Sequence, residues 1–178
     1  GGTVDISSPT SVQVGNIDVQ GTTVSGGTVQ LNAVTEGVTV GNIQAASNNQ
    51  GGTVGINSPL AIQAGDIDVQ GTTASGGSVQ LASTAASVTV GTVQAASNNQ
   101  GGTVTISSPA TIQTGFIDAQ GGFAGGVVDI TTENLFRATS SFTDDNGIDA
   151  SISAAGATDG QVIIRHDGGN QVIPFIVG

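Results

Sequence analysis

The chain has no cysteine, lysine, methionine, tryptophan or tyrosine. Without cysteine there is no disulfide framework, no thiolate nucleophile and no thiolate metal site. The two cations, Arg137 and Arg165, stand against 13 Asp and Glu, for a formal net charge of −11. Nucleic acid and anionic lipid are held by clustered Lys and Arg, so neither is an expected partner, and membrane insertion is not expected either. No apolar run approaches the ~18 residues of a membrane-spanning helix. Aromatics are 3% of the chain and charged residues 8%. The apolar share is mostly Val, Ile and Ala, which suits a thin core. There is no signal peptide, and the 178 residues open on Gly-Gly rather than Met, so a longer or processed parent chain is expected.

What is present in excess is glycine, 29 residues, placed with regularity. Gly-Gly heads fall at 1, 26, 51, 76 and 101, with a drifted one at 125. Behind each head stands a pair of apolar residues two apart: Val4/Ile6, Val29/Leu31, Val54/Ile56, Val79/Leu81, Val104/Ile106 and Val128/Ile130. A second pair follows (Val12/Val14, Val38/Val40, Ile62/Ala64), then a glycine, then a third (Ile17/Val19, Ile43/Ala45, Ile67/Val69). Apolar-x-apolar is the mark of a strand with one buried face. Three short strands per 25 residues cannot bury those faces alone, whereas stacked on identical neighbours they can.

The expected fold is therefore all-β: a parallel β-helix, or β-solenoid, of ~25 residues per coil with strands ~4.8 Å apart along the axis. Inward Val and Ile form columns, each buried side chain contributing roughly 1.5–3 kcal/mol. The Gly-Gly heads mark corners, where glycine tolerates positive φ and close backbone approach. Pro9, Pro59 and Pro109 recur every second coil, so the true sequence period is a double coil. Even coils gain one residue in the turn after their first strand and lose it in the AASNNQ loop. Residues 1–124 form five regular coils. Residues 125–178 form an irregular, longer part that continues or caps the helix. There Val128 and Val162 are equivalent, and the surplus between them is a hairpin with strands near Arg137–Thr143 and Ile148–Ser153 around Asp145-Asn146-Gly147. Phe123, Phe136, Phe142 and Phe175 lie in or just before this part and suggest a better-plugged end or a side protrusion.

Several residues invite a chemical reading. Asp66 and Asp68 are an outward carboxylate pair, as in a glycosidase, with Asp18 and Asp118 in the column of the second. They have no companion cation and recur with the repeat, which favours a scaffold role. In that column Gln44 and Gln94 alternate with the aspartates. This spares ~0.9 kcal/mol of repulsion per adjacent carboxylate pair in water and offers amide–carboxylate hydrogen bonds along the axis. Arg165-His166-Asp167 resembles an acid–base trio, but strand neighbours point to opposite faces. Asp144-Asp145-Asn146-Gly147 hints at a calcium loop without the alternating ligand spacing. The column Thr3, Thr28, Thr53, Ser78, Thr103 suggests ice binding. Its companion column, Asp5, Gln30, Gly55, Gln80, Thr105, does not repeat the threonine. No residue is assigned a catalytic, cofactor-binding or metal-binding role, and no cofactor is expected. There is no Asn-x-Ser/Thr sequon, while abundant Ser and Thr leave O-linked sugars open.

The pattern GGxVxIxSPxx[I/V]xxGxIxxxG at 1–21, 51–71 and 101–121 resembles the repeat region of filamentous-haemagglutinin-like exoproteins, the secreted proteins of two-partner secretion systems. The segment FTDDNGIDASISAAGATDGQVIIRHDGGNQVIPFIVG resembles a module that follows such repeats in cyanobacterial members. The resemblance implies a right-handed β-helix, export through an outer-membrane partner, and a non-catalytic adhesive or matrix role at the cell surface. The amino-terminal domain that such secretion needs is not among these residues, so recognition by a secretion partner is carried over to none of them. On this reading the chain is a rigid segment of an exported fibre or adhesin whose strand edges are covered by further covalent repeats or by another copy stacked head to tail. The alternatives are a carbohydrate-binding or polysaccharide-cleaving β-helix and an ice-binding protein.

Overall fold

A computed structural model describes residues 1–169. The first coil carries β1 (Thr3–Ser8), β2 (Val12–Val14) and β3 (Ile17–Asp18), and the second β4 (Thr28–Ala33), β5 (Val38–Val40) and β6 (Ile43–Gln44). The third has β7 (Thr53–Ser58), β8 (Ile62–Ala64) and β9 (Ile67–Asp68), and the fourth β10 (Ser78–Ser83), β11 (Val88–Val90) and β12 (Val93–Gln94). The fifth has β13 (Thr103–Ser108), β14 (Ile112–Thr114) and β15 (Ile117–Asp118). The sixth, longer coil contains β16 (Val127–Thr132), β17 (Phe136–Ala138), β18 (Phe142–Thr143), β19 (Asp149–Ala150) and β20 (Ile152–Ser153), and β21 (Gln161–His166) opens the next. First, second and third strands stack separately into parallel sheets of seven, six and six strands. The molecule is a β-solenoid.

Register follows the sequence repeat. Thr3 pairs with Thr28 and Thr28 with Thr53. In the second sheet Val12 pairs with Val38, 26 residues on, and Val38 with Ile62, 24 on. That alternation is the double-coil period seen structurally: the even coil's extra turn residue lies between its first and second strands. Val29, Leu31, Ile43, Ile56, Ile62, Ile67, Leu81 and their counterparts in the inner coils are buried and form one continuous core, against which Val4, Ile6 and Ile164 of the end coils pack partly buried. A one-residue slip would turn every one of them outward, so the buried columns fix the register.

The glycine heads differ from expectation in mechanism. Among the described residues the positive-φ glycines are Gly147, Gly168 and Gly169, none of them a head. The heads are glycine because of close approach. A Cβ on Gly76 would lie 1.7 Å from the Ala95 carbonyl oxygen, and one on Gly51 1.8 Å from that of Val69. Between the third strand and the next head the chain makes a side loop of seven residues after the first and third coils and six after the second, fourth and fifth. Its neck is closed by hydrogen bonds such as Gly27 N to Val19 O and Gly77 N to Val69 O, both 2.7 Å. The side loops also stack, through parallel bridges such as Ser25 with Gln50 and Ser75 with Gln100.

The hairpin exists but is shorter than the sequence suggested. Among the described residues only β18 and β19 pair antiparallel. Arg137 lies in β17, the sixth coil's second strand, paired with Gln113 of β14. Ile152 and Ser153 form its third strand, paired with Ile117 and Asp118. The insertion therefore lies at the corner between the second and third sheets, and the 34-residue interval from Val128 to Val162 is one coil. Phe136 is buried in the core, Phe142 stacks on Phe116 at 4.7 Å, and Phe123 is exposed on a side loop. Phe175 and the PFIVG stretch lie outside the described residues.

Candidate functional site

Asp66 stands at the corner between the second and third sheets. There Asn16, Asn42 and Asp66 occupy one position in successive coils. The Asn16 Oδ1 accepts the Asn42 backbone N–H at 2.9 Å, Asn42 Oδ1 that of Asp66 at 3.0 Å, and Asp66 Oδ1 that of Thr92 at 2.7 Å. Each side chain occupies the space beside the next coil's glycine: a Cβ on Gly65 would meet Asn42 Oδ1 at 2.2 Å, and one on Gly91 would meet Asp66 Oδ1 at 2.2 Å. The Asp66 carboxylate is thus one rung of a side-chain-to-backbone ladder.

Asp68 belongs to the outward column of the third sheet, where Asp18, Gln44, Asp68, Gln94, Asp118 and Ser153 pair in turn. The expected amide–carboxylate rungs do not form. Each aspartate instead folds back on its own strand end. Oδ1 of Asp18, Asp68 and Asp118 accepts the backbone N–H of Gln20, Gln70 and Gln120 at 3.0–3.1 Å. This two-residue reach satisfies an N–H that leaves the ladder as the side loop begins. Burial raises the carboxyl pKa of Asp68 above the ordinary value, against the lowering effect of the Gln70 N–H. At Asp118 burial is again the largest cause, reinforced by the charges of Asp145 and Asp144 and opposed by hydrogen bonds from Gln120.

The trio Arg165-His166-Asp167 does not converge. Arg165 turns outward and pairs with Asp129 at 2.5 Å. His166 takes its place in an inner column that sequence reasoning missed. Ser58, Ser83, Ser108 and Thr132 occur at the ends of successive first strands with buried hydroxyls. Ser58 donates to Glu36 O at 2.8 Å, Ser83 to Leu60 O at 2.8 Å, Ser108 to Ala86 O at 2.7 Å, and Thr132 to Ala110 O. His166, paired with Thr132, continues the column with Nδ1 3.0 Å from Asn134 O. A carbonyl only accepts, so Nδ1 carries the proton. The signal was the Ser or Thr closing β1, β7, β10, β13 and β16, with Ala33 in its place in β4.

The hairpin changes the environment at one end of the third sheet. Asp144 is buried at the turn. Its Oδ1 accepts the Asn146 and Ile148 N–H groups, both at 2.9 Å, and its Oδ2 lies 3.3 Å from Ser153 Oγ. These contacts account for the Asp144-Asp145-Asn146-Gly147 stretch as a capped turn, with Gly147 at φ 76°. Gln120 links hairpin to sheet: its Nε2 donates to Asp118 Oδ1 at 3.0 Å, and its Oε1 accepts the Asp145 N–H at 2.7 Å. Beneath, a polar groove of about 230 Å³ runs along the third-sheet flank of the side loops past Gln70, Thr72, Asn98 and Asp118, and ends at Asp145.

Thr3, Thr28, Thr53, Ser78 and Thr103 do align outward on the first sheet, beside Asp5, Gln30, Gly55, Gln80 and Thr105. Among the described residues no group of three or more His, Asp or Glu is arranged to hold a metal ion. No helix among them is long and apolar enough to cross a membrane. Comparison with family models, curated proteins and solved structures gave no match.

Proposed function

We propose that this chain is a rigid, non-catalytic rod segment of an exported surface protein or extracellular filament, with a structural or adhesive role. The observation that carries the reading is the unbroken parallel ladder from β1 to β21, whose outward carboxylates in the repeat serve the scaffold. Asp66 and Asp68 both accept backbone N–H groups, which gives these side chains a reason to recur without a substrate.

The β1 strand edge supports the reading of partners. On the first coil Val4 and Ile6 are half-buried where Val29 and Leu31 are fully buried. An uncovered aliphatic column beside unpaired N–H and C=O groups is a template for another coil. Further coils of the same chain, or another copy stacked head to tail, would cover it. The filamentous-haemagglutinin-like resemblance supports an extracellular place and rests on the repeat and FTDDNG motif residues. Electron microscopy of the purified chain at rising concentration tests the reading. End-to-end filaments are expected. Monodisperse particles at every concentration, with Val4 and Ile6 solvent-accessible, would count against self-stacking.

The groove past Gln70, Thr72 and Asn98 favours a second reading, a carbohydrate-binding or carbohydrate-cleaving module, since amides, hydroxyls and carboxylates match sugar hydroxyls. Release of reducing sugar from polysaccharide, abolished in Asp118→Asn or Asp145→Asn, the carboxylates of the groove, would replace the rod reading with this one. Thermal hysteresis would favour the ice-binding alternative.

A further inference from the structure

We propose that the sixth-coil hairpin is a proton-responsive clasp: it closes over the end of the third-sheet groove when Asp118 is protonated and loosens when Asp118 is ionised. The inference is independent of what the rod binds.

The geometry supplies a lever and a latch. The lever is a separate two-stranded sheet of two residue pairs, β18 with β19, which has little stability of its own. It leans on three contacts: Phe142 on Phe116, Asp145 N–H on Gln120, and Asp144 with Ser153. The latch is Gln120, 5% exposed, whose amide is held at one end by Asp118 and holds Asp145 with the other. Asp68, in the same column inside the stack but away from the hairpin, is half-buried, whereas Asp118 beside the hairpin is only 8% exposed.

The groups facing Asp118 set the sign. The hairpin brings Asp144 and Asp145. Its own strand end brings Gln120. The flanking strands bring neutral side chains, Gln94 and Ser153, with Asp68 two strands along. Neither arginine is among the groups acting on Asp118, and Arg165 is engaged by Asp129. Closure therefore takes a carboxylate out of water and places it near two like charges with no compensating cation. That raises its pKa, in agreement with the direction found for this group. A proton then binds the closed form more tightly than the open one. The closed-to-open ratio grows as pH falls, up to tenfold for each unit by which closure raises the pKa.

Hydrogen exchange of the Asp145 and Ile148 amides, followed by NMR between pH 7 and pH 4 and corrected for intrinsic exchange, reads the clasp directly. Protection is expected to rise as pH falls. Asp118→Asn should be more protected at pH 7 and should flatten the response. Asp68→Asn, in the same column but away from the hairpin, should leave it intact. Asp145→Asn, which removes a facing charge from an exposed position, should weaken it and serves if Asp118→Asn does not fold. Gln120→Ala should lower protection at every pH. Protection that is independent of pH in the unaltered chain, or a response preserved in both Asp118→Asn and Asp145→Asn, overturns the proposal.

Discussion

Gly76→Ala adds one methyl group at a coil head, and its cost follows from the stacking. The added Cβ would lie 1.7 Å from the Ala95 carbonyl oxygen and 2.6 Å from Gly102 N, where real Cβ contacts essentially never fall below 3.0 Å. Both are backbone atoms, so no rotamer relieves the clash, and the two chain segments must part by more than about 1 Å. Overpacking of this kind costs ~1–3 kcal/mol. Separation also stretches the Gly102 N to Ala95 O and Gly77 N to Val69 O bonds, each 2.7 Å, at ~0.5–1.5 kcal/mol apiece. We expect a loss of about 2–6 kcal/mol. Gly15→Ala is the internal control. It is the same substitution at another corner of the repeat, but nothing lies within 4 Å of its Cβ and its φ is not positive. Reduced freedom of the unfolded chain should make it ~0.4–1 kcal/mol more stable. Urea denaturation of both variants followed by circular dichroism gives the comparison. Equal shifts for the two, or a Gly76→Ala variant within error of the parent, would refute the argument that close approach selects the head glycines.

Ile62→Ala, in the fully buried second-sheet column, should cost ~2–5 kcal/mol, and Ile6→Ala at the half-buried first coil distinctly less; thermal unfolding of both decides. Ser83→Ala removes a rung of the inner hydroxyl ladder, the 2.8 Å bond to Leu60 O, so a loss of ~0.5–1.5 kcal/mol is expected by urea titration. Asp68 and Asp118 have folded pKa values above the unfolded one. Their stabilising contribution is complete below the ordinary carboxyl value and is lost as pH rises through the raised one. The urea midpoint should therefore gain from these groups as pH is lowered toward 4, and Asp68→Asn with Asp118→Asn should remove part of that gain. Arg165→Ala breaks an ion pair whose side chains are 56% and 33% exposed, and should cost no more than ~1 kcal/mol, with the loss shrinking in added salt.

The strands and their register were legible because burial on one face imposes a period of two, and stacking imposes a period of 25 on top of it. Val29, Leu31 and Ile43 announce both at once. The Pro9/Pro59/Pro109 alternation likewise announced the 26/24 stagger of the second sheet. The corner and inner ladders were not legible. The partner of Asn42 Oδ1 is the N–H of residue 66, and the partner of Ser83 Oγ is the carbonyl of residue 60. Nothing local distinguishes such residues from ordinary turn polars. The same reason explains the hairpin: Arg137 and Ile152 have strand character, but only the positions of Gln113 and Ile117 in the coil below assign them to the stack. Asp118 was placed in its column correctly, while its burial depends on an insertion 26 residues downstream.

The account as a whole depends on coils lying in register one above the next, and the absence of cysteine makes that directly measurable. Gln63 and Thr89 are exposed and directly paired on the second sheet, and Thr89 pairs in turn with Gln113. One strand spacing, ~4.8 Å, lies within the Cα separation a disulfide accepts, and two spacings, ~9.6 Å, lie beyond it. Under mild oxidation at high dilution, Gln63→Cys with Thr89→Cys should close an intramolecular disulfide, and Gln63→Cys with Gln113→Cys should not. Ready closure of the second pair, or failure of the first in folded protein, would contradict the stacked solenoid.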